Sequence, residues 1–129
     1  RLYHHYRSLA EGNLDNSPTV RRALYVLRAV LYARYVRDTH RFPALDFPAF
    51  LAQEGDRFDA SLVDAARTLA ARKRAGEGDA PAELDVDLQD VVADLPAEID
   101  PEAHAVRGIY VERVNAFIRA AIEESAERS

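Results

Sequence analysis

Apolar residues recur every three to four positions along most of the chain, and no segment alternates convincingly at period two. The pattern predicts helices throughout. Over Arg1–Glu11, Leu2, Tyr3, Tyr6, Leu9 and Ala10 fall on one side, and Gly12 is a natural stop. Asn13–Asn16 reads as a loop. Ser17 then caps a long helix with Pro18 at its first position, where a missing N–H costs nothing. This helix is expected to run to about Thr39. Val20, Leu24, Leu27 and Leu31 form its stripe, and Ala23, Val26, Val30 and Ala33 widen it, as in a helix touched by neighbours on several sides.

Arg41–Leu45 is a turn around Pro43. Asp46 and Pro48 open a short helix that carries Phe47, Phe50 and Leu51 and stops at Gly55. Asp59 caps the next, with Leu62, Val63, Ala66, Leu69 and Ala70 on one face and Gly76 past its end. Gly76–Pro81 is the most linker-like piece, short enough to join helices inside one domain. Leu84, Leu88, Val91, Val92 and Leu95 again have helical spacing. Asp100-Pro101-Glu102 starts a last long helix lined by Val106, Tyr110, Val114, Phe117, Ala121 and Ile122. These readings add up to an all-α antiparallel bundle of five to six helices, two of them long, in one domain over residues 1–129.

Length and composition agree: 129 residues, 48% apolar and 30% charged, describe one globular domain with a real core. Cys is absent, which excludes disulfides and thiolate chemistry. No apolar run approaches a membrane span and no signal peptide opens the chain, so a cytoplasmic protein without a membrane partner is expected. The chain begins at Arg1 rather than Met, as a segment of something longer would. The net charge of −5 is unevenly placed. Residues 1–44 carry a formal +5 and residues 45–129 a formal −10. An acidic whole argues against unaided capture of duplex nucleic acid, but a basic first third can meet a phosphate locally, or attract the acidic remainder within the fold.

The candidate chemistry lies on the long second helix. Arg21, Tyr25, Arg28, Tyr32 and Tyr35 follow one stripe, as if facing outward across a cleft. Arg offers a rigid donor fork for phosphate, and Tyr a ring for a base plus a hydroxyl. The same residue types also serve buried helix contacts, and both readings stay open. Such a stripe equally suits a homodimer interface. Asp85-Val86-Asp87 has the D-x-D spacing of metal-binding carboxylates, but no Gly-Ser turn precedes it and an amphipathic helix follows. Asp87 reads as a helix cap, and Asp90 and Asp94 as a solvated face. Adjacent His4 and His5 point about 100° apart on a helix and do not chelate one metal, and His104 is far away. There is no Gly-rich phosphate loop and no nucleophile elbow.

Two resemblances bear on function. Arg34 and His40 fit the loose R-x5-H spacing of HEPN-class helical ribonucleases, although Tyr35 stands where that motif has a polar residue. Three stretches are more extensive: Tyr6-Arg7-Ser8-Leu9-Ala10-Glu11-Gly12-Asn13; Arg22-Ala23-Leu24-Tyr25-Val26-Leu27-Arg28 continuing to Tyr35 and Pro43–Phe47; and Leu69-Ala70-Ala71-Arg72-Lys73-Arg74-Ala75-Gly76-Glu77. In order and spacing they resemble the C-terminal helical region of predicted nucleotidyltransferases of the DNA polymerase β superfamily, the YcgL/RlaP-like subfamily, over about residues 3–122. The resemblance implies a two-domain protein. Its N-terminal α/β catalytic domain, absent from this chain, would supply a Gly-Ser turn and metal-binding carboxylates. The intact enzyme would use Mg²⁺ and an NTP, neither held by this chain alone, to transfer a nucleotidyl group to an acceptor. RNA or a nucleotide would be the substrate. On this resemblance Arg22 and Lys73 contact phosphate or acceptor, and Tyr25 and Arg28 position the nucleotide or hold the interdomain face. The other reading is a non-enzymatic interaction or dimerisation module.

Overall fold

The computed structural model describes residues 1–97. Five α-helices run through them: α1 (Leu2–Gly12), α2 (Val20–Thr39), α3 (Phe47–Glu54), α4 (Ala60–Arg74) and α5 (Leu88–Ala93), with a 3-10 turn at Gly55–Arg57. The described residues contain no strand, only an isolated antiparallel bridge between Thr19 and Pro81. None of their helices is long and apolar enough to cross a membrane. The expected helix beginning at Asp100-Pro101-Glu102, and with it the second long helix, lies outside the described residues.

The core forms around α2. Ala29 to Ala33 are five successive buried residues, which at 3.6 residues per turn covers the full circumference. Helices α1, α4 and α5 all pack against it. Leu27, Val30 and Leu31 are fully buried, each contributing about 1.5–3 kcal/mol of apolar transfer. One end of the core is aromatic. Tyr32 meets Tyr6, Phe47 and Phe50 edge-on at centroid distances of 5.2, 5.7 and 4.8 Å. Tyr3 of α1 donates its hydroxyl proton to the Pro96 carbonyl, which fastens α1 to the chain beyond α5.

Local signals set most helix ends. Asp46 caps α3 by accepting from Ala49 N, and Asp87 caps α5 by accepting from Gln89 N and Asp90 N at 2.9 and 3.4 Å. Asp59 occupies the cap position of α4 without a side-chain hydrogen bond. Beyond α4, Gly76 takes φ +87°. Gly76 N bonds Lys73 O at 3.1 Å and Glu77 N bonds Arg72 O at 3.0 Å, a Schellman ending that needs a residue free to adopt positive φ. His40 ends α2 in the same left-handed region (φ 56°), its N–H bonded to Val36 O.

The start of α2 differs from the sequence reading. Its cap is Thr19, not Ser17, and Pro18 precedes the helix. The cause is the segment after α4. Val20 N bonds Ala80 O at 2.9 Å, Arg21 N bonds Gly78 O at 2.9 Å, and Ala82 N bonds Pro18 O at 3.0 Å. Residues 18–19 stay extended to make this pairing, so the helix begins two residues later. The linker-like stretch is therefore a strap laid across the first turn of α2. With Thr19 Oγ1 accepting from Arg22 N, the N–H groups of the first three helical residues, Val20, Arg21 and Arg22, are all used.

Candidate functional site

The strap fills the simplest anion site, because the N–H groups of Val20, Arg21 and Arg22 at the start of α2 are already bonded. What remains is side-chain chemistry. Arg21, Arg22, Tyr25 and Arg28 come from the first half of α2, and Lys73 from the last turn of α4. Lys73 Nζ donates to the Tyr25 hydroxyl at 3.3 Å, and the ammonium lies 4.8 Å from the Tyr25 ring centroid. The Arg28 guanidinium lies 5.2 Å from the same centroid. One phenol thus serves two cations, one on its own helix and one 48 positions away in sequence, through its π face and its oxygen. Lys73 has no carboxylate partner among the described residues, and an ammonium has three protons to donate. Cations in the last turn of α4 also complement its negative dipole end.

Tyr25 continues into a shallow depression of about 310 Å³ lined by Asn13, Asp15, Thr19, Arg21, Arg22 and Tyr25 itself. Arg22 Nη1 lies 3.5 Å from Asp15 Oδ2, with both side chains roughly half exposed. Arg21 Nη1 meets Asp79 Oδ1 at 2.5 Å. Its guanidinium lies over the strap: a Cβ on Gly78 would fall 2.8 Å from Arg21 Nη2, so the glycine leaves room for it.

The five-residue stripe does not survive as one surface. Tyr32 is 2% exposed and Tyr35 7%. The Tyr32 hydroxyl donates to the carbonyls of Ala44 and Leu45 at 2.7 and 3.2 Å. Tyr35 packs edge-on to Phe50, with the Arg57 guanidinium 5.7 Å from its ring centroid. Both phenols are core residues, not ligands across a cleft. The reason is tertiary: α3 and the turn before it cover the second half of α2, whereas the first half, on this side, meets the end of α4, the strap and the loop after α1. Of the residues carried by the resemblance, Tyr25, Arg28 and Lys73 converge directly and Arg22 joins them along the depression. Arg21, Asp15 and Asp79 belong to the same surface; only Arg21 had a sequence signal, its place on the stripe.

No group of three or more His, Cys, Asp or Glu among the described residues could hold a metal ion. Asp87 is committed to the first turn of α5, and Asp85, Asp90 and Asp94 are exposed. The described residues therefore do not fit a divalent-metal pair. His5 Nε2 is buried and has no hydrogen-bond partner among the described residues, and burial lowers the pKa of its imidazole.

Residues 1–120 match a family model, RlaP, described as the RNA repair pathway DNA polymerase beta family. No curated protein and no solved structure matches.

Proposed function

The chain belongs to the RNA repair pathway DNA polymerase beta family and is nucleotidyltransferase-like, and we propose that it is the helical, substrate-side part of such an enzyme. In this reading it is the C-terminal part of a two-domain protein. A preceding α/β domain supplies the metal-binding carboxylates, in keeping with a family that is typically Mg²⁺-dependent and with a described region that does not fit the metal. This domain positions and orients rather than breaking bonds. Lys73 and Arg22 meet phosphate of the nucleotide or acceptor. Tyr25 and Arg28 hold the nucleotide in place or line the face toward the catalytic domain.

The observation that carries this reading is the contact of Lys73 Nζ with Tyr25, in both hydroxyl and ring. Among the described residues Lys73 is engaged by a neutral phenol and by no carboxylate, so its charge suits an incoming anion. To test it, the chain is titrated with ATP, with the other NTPs and with a short single-stranded RNA, following its amide and side-chain NMR signals. Lys73→Gln and Arg28→Gln are expected to weaken the affected ligand about tenfold, the size of one charge-assisted hydrogen bond. Wild-type binding that neither substitution changes would refute the assignment. The sequence encoded immediately upstream tests the domain arrangement: a Gly-Ser turn followed by D-x-D is expected there.

A further inference from the structure

The depression beside Tyr25 holds two guanidinium groups that each face an exposed acid. Arg21 is paired with Asp79 and Arg22 with Asp15. The Asp79 side chain is 86% exposed, against 35% for Arg21, so the acid sits on the solvent side of its pair. Exposed pairs of this kind are weak, worth no more than about fivefold in an equilibrium constant. Arg21 itself is held by other means: its backbone N–H is bonded to Gly78 O, and its guanidinium lies against Gly78. Its Nε is buried and has no hydrogen-bond partner among the described residues. The cation is therefore fixed by the fold, while the anion opposite it is loosely placed and replaceable.

We propose that the depression between Arg21, Arg22 and Tyr25 is a phosphate-binding subsite in a self-neutralised resting state, in which Asp79 and Asp15 occupy the guanidinium forks until a phosphate ester displaces them. A terminal phosphate monoester brings about −1.5 to −2 charge and three acceptor oxygens to a fork that a carboxylate fills with one charge and two oxygens, which gives the exchange its direction for a terminal phosphate. At about 310 Å³ the depression has room for the group, being comparable to the smallest ligand pockets. Tyr25 forms one wall and is bonded to Lys73, so the subsite and the Lys73 cation lie on one continuous surface. The inference rests on the functional reading above, which already gives Arg22 to phosphate, and extends it with Arg21 and with the acids that occupy both guanidiniums at rest. The paired acids would keep non-specific polyanions off the basic first third of the chain at the cost of some affinity.

The test measures binding of four probes at several salt concentrations: inorganic phosphate, ATP, a 5′-phosphorylated single-stranded RNA and its 5′-hydroxyl counterpart. Asp79→Asn is expected to tighten binding about two- to fivefold. Arg21→Gln is expected to weaken it about tenfold, to abolish the gain from Asp79→Asn, and to lower the salt slope for RNA by about 0.7. A response confined to the phosphorylated RNA and ATP would assign a terminal phosphate; an equal response of the 5′-hydroxyl RNA would assign the backbone. Asp64→Asn, which removes an exposed acid that forms no ion pair among the described residues, is expected to tighten binding less. Equal tightening by Asp64→Asn, or none by Asp79→Asn, overturns the proposal. Should Asp79→Asn loosen the strap and lower the Tm, Asp15→Asn, outside the strap, decides by the same criterion. If Lys73→Gln weakens binding and Arg21→Gln does not, the subsite falls and the functional reading stands. The reverse result leaves the subsite and removes Lys73.

Discussion

Tyr32→Phe separates a structural phenol from a ligand-facing one. The substitution removes one oxygen and keeps the ring, so the edge-on contacts with Tyr6, Phe47 and Phe50 persist. It removes the hydrogen bonds to Ala44 O and Leu45 O, the shorter of which is 2.7 Å. A buried intramolecular bond of this kind contributes about 0.5–1.5 kcal/mol net. Ala44 is exposed and Leu45 half-buried, which puts the expected loss in the middle of that range rather than above it. The expected loss is about 1 kcal/mol, which at an m-value of about 1.5 kcal/mol/M moves the urea midpoint down by about 0.7 M. Tyr35→Phe is the internal comparison. Its ring is also buried, but its hydroxyl forms no hydrogen bond among the described residues, and the midpoint is expected to stay within about 0.3 M. Urea denaturation followed by circular dichroism reads both. Equal losses, or an unchanged midpoint for Tyr32→Phe, would refute the structural role given to that hydroxyl. Reduced affinity for ATP or RNA at unchanged stability would return Tyr32 to the binding surface.

The start of α2 and the first helix are open to test as well. Thr19→Ala is expected to cost about 1 kcal/mol and Ser17→Ala only a few tenths, since Thr19 alone accepts from the helix; chemical denaturation distinguishes them. His5 is expected to titrate below its ordinary 6.5 by NMR, because burial disfavours the imidazolium. The sign follows from proton binding: below pH 6.5 the unfolded chain holds more protons at this site than the folded one. The stability His5 contributes is therefore present above 6.5 and lost as pH falls through the folded value. His5→Gln should flatten that part of the stability–pH curve.

The helices themselves were legible because their signals are local. Asp46, Asp87 and Gly76 each act within four residues of their own position, and the 3.6-residue periodicity marked the buried face of α4. The start of α2 was not legible. Ser17 and Thr19 are equivalent as local caps, and the choice between them is made by backbone pairing with residues 78–82, some 60 positions away. The stripe failed for a related reason. Tyr25, Tyr32 and Tyr35 lie on one side of α2, but what covers each is set by α3 and the turn before it, not by spacing along the helix. The family-like stretches mark Lys73 and Tyr25 separately, and no signal in the sequence pairs them. Asp15 and Asp79, which neutralise the neighbouring guanidiniums, sit in loops where acidic residues are ordinary and carry no signal.

The strap also decides where the polypeptide can be shortened. A fragment ending just after α4 would contain all of α1 to α4, yet it would strip the carbonyls of Gly78 and Ala80 from the first turn of α2 and leave the Arg21 side chain without its bed. The smallest piece that can keep α2 intact must therefore extend at least to Ala82, although residues 75–82 contribute no helix of their own. Dissection by helix boundaries would cut through the very stretch that closes the central helix.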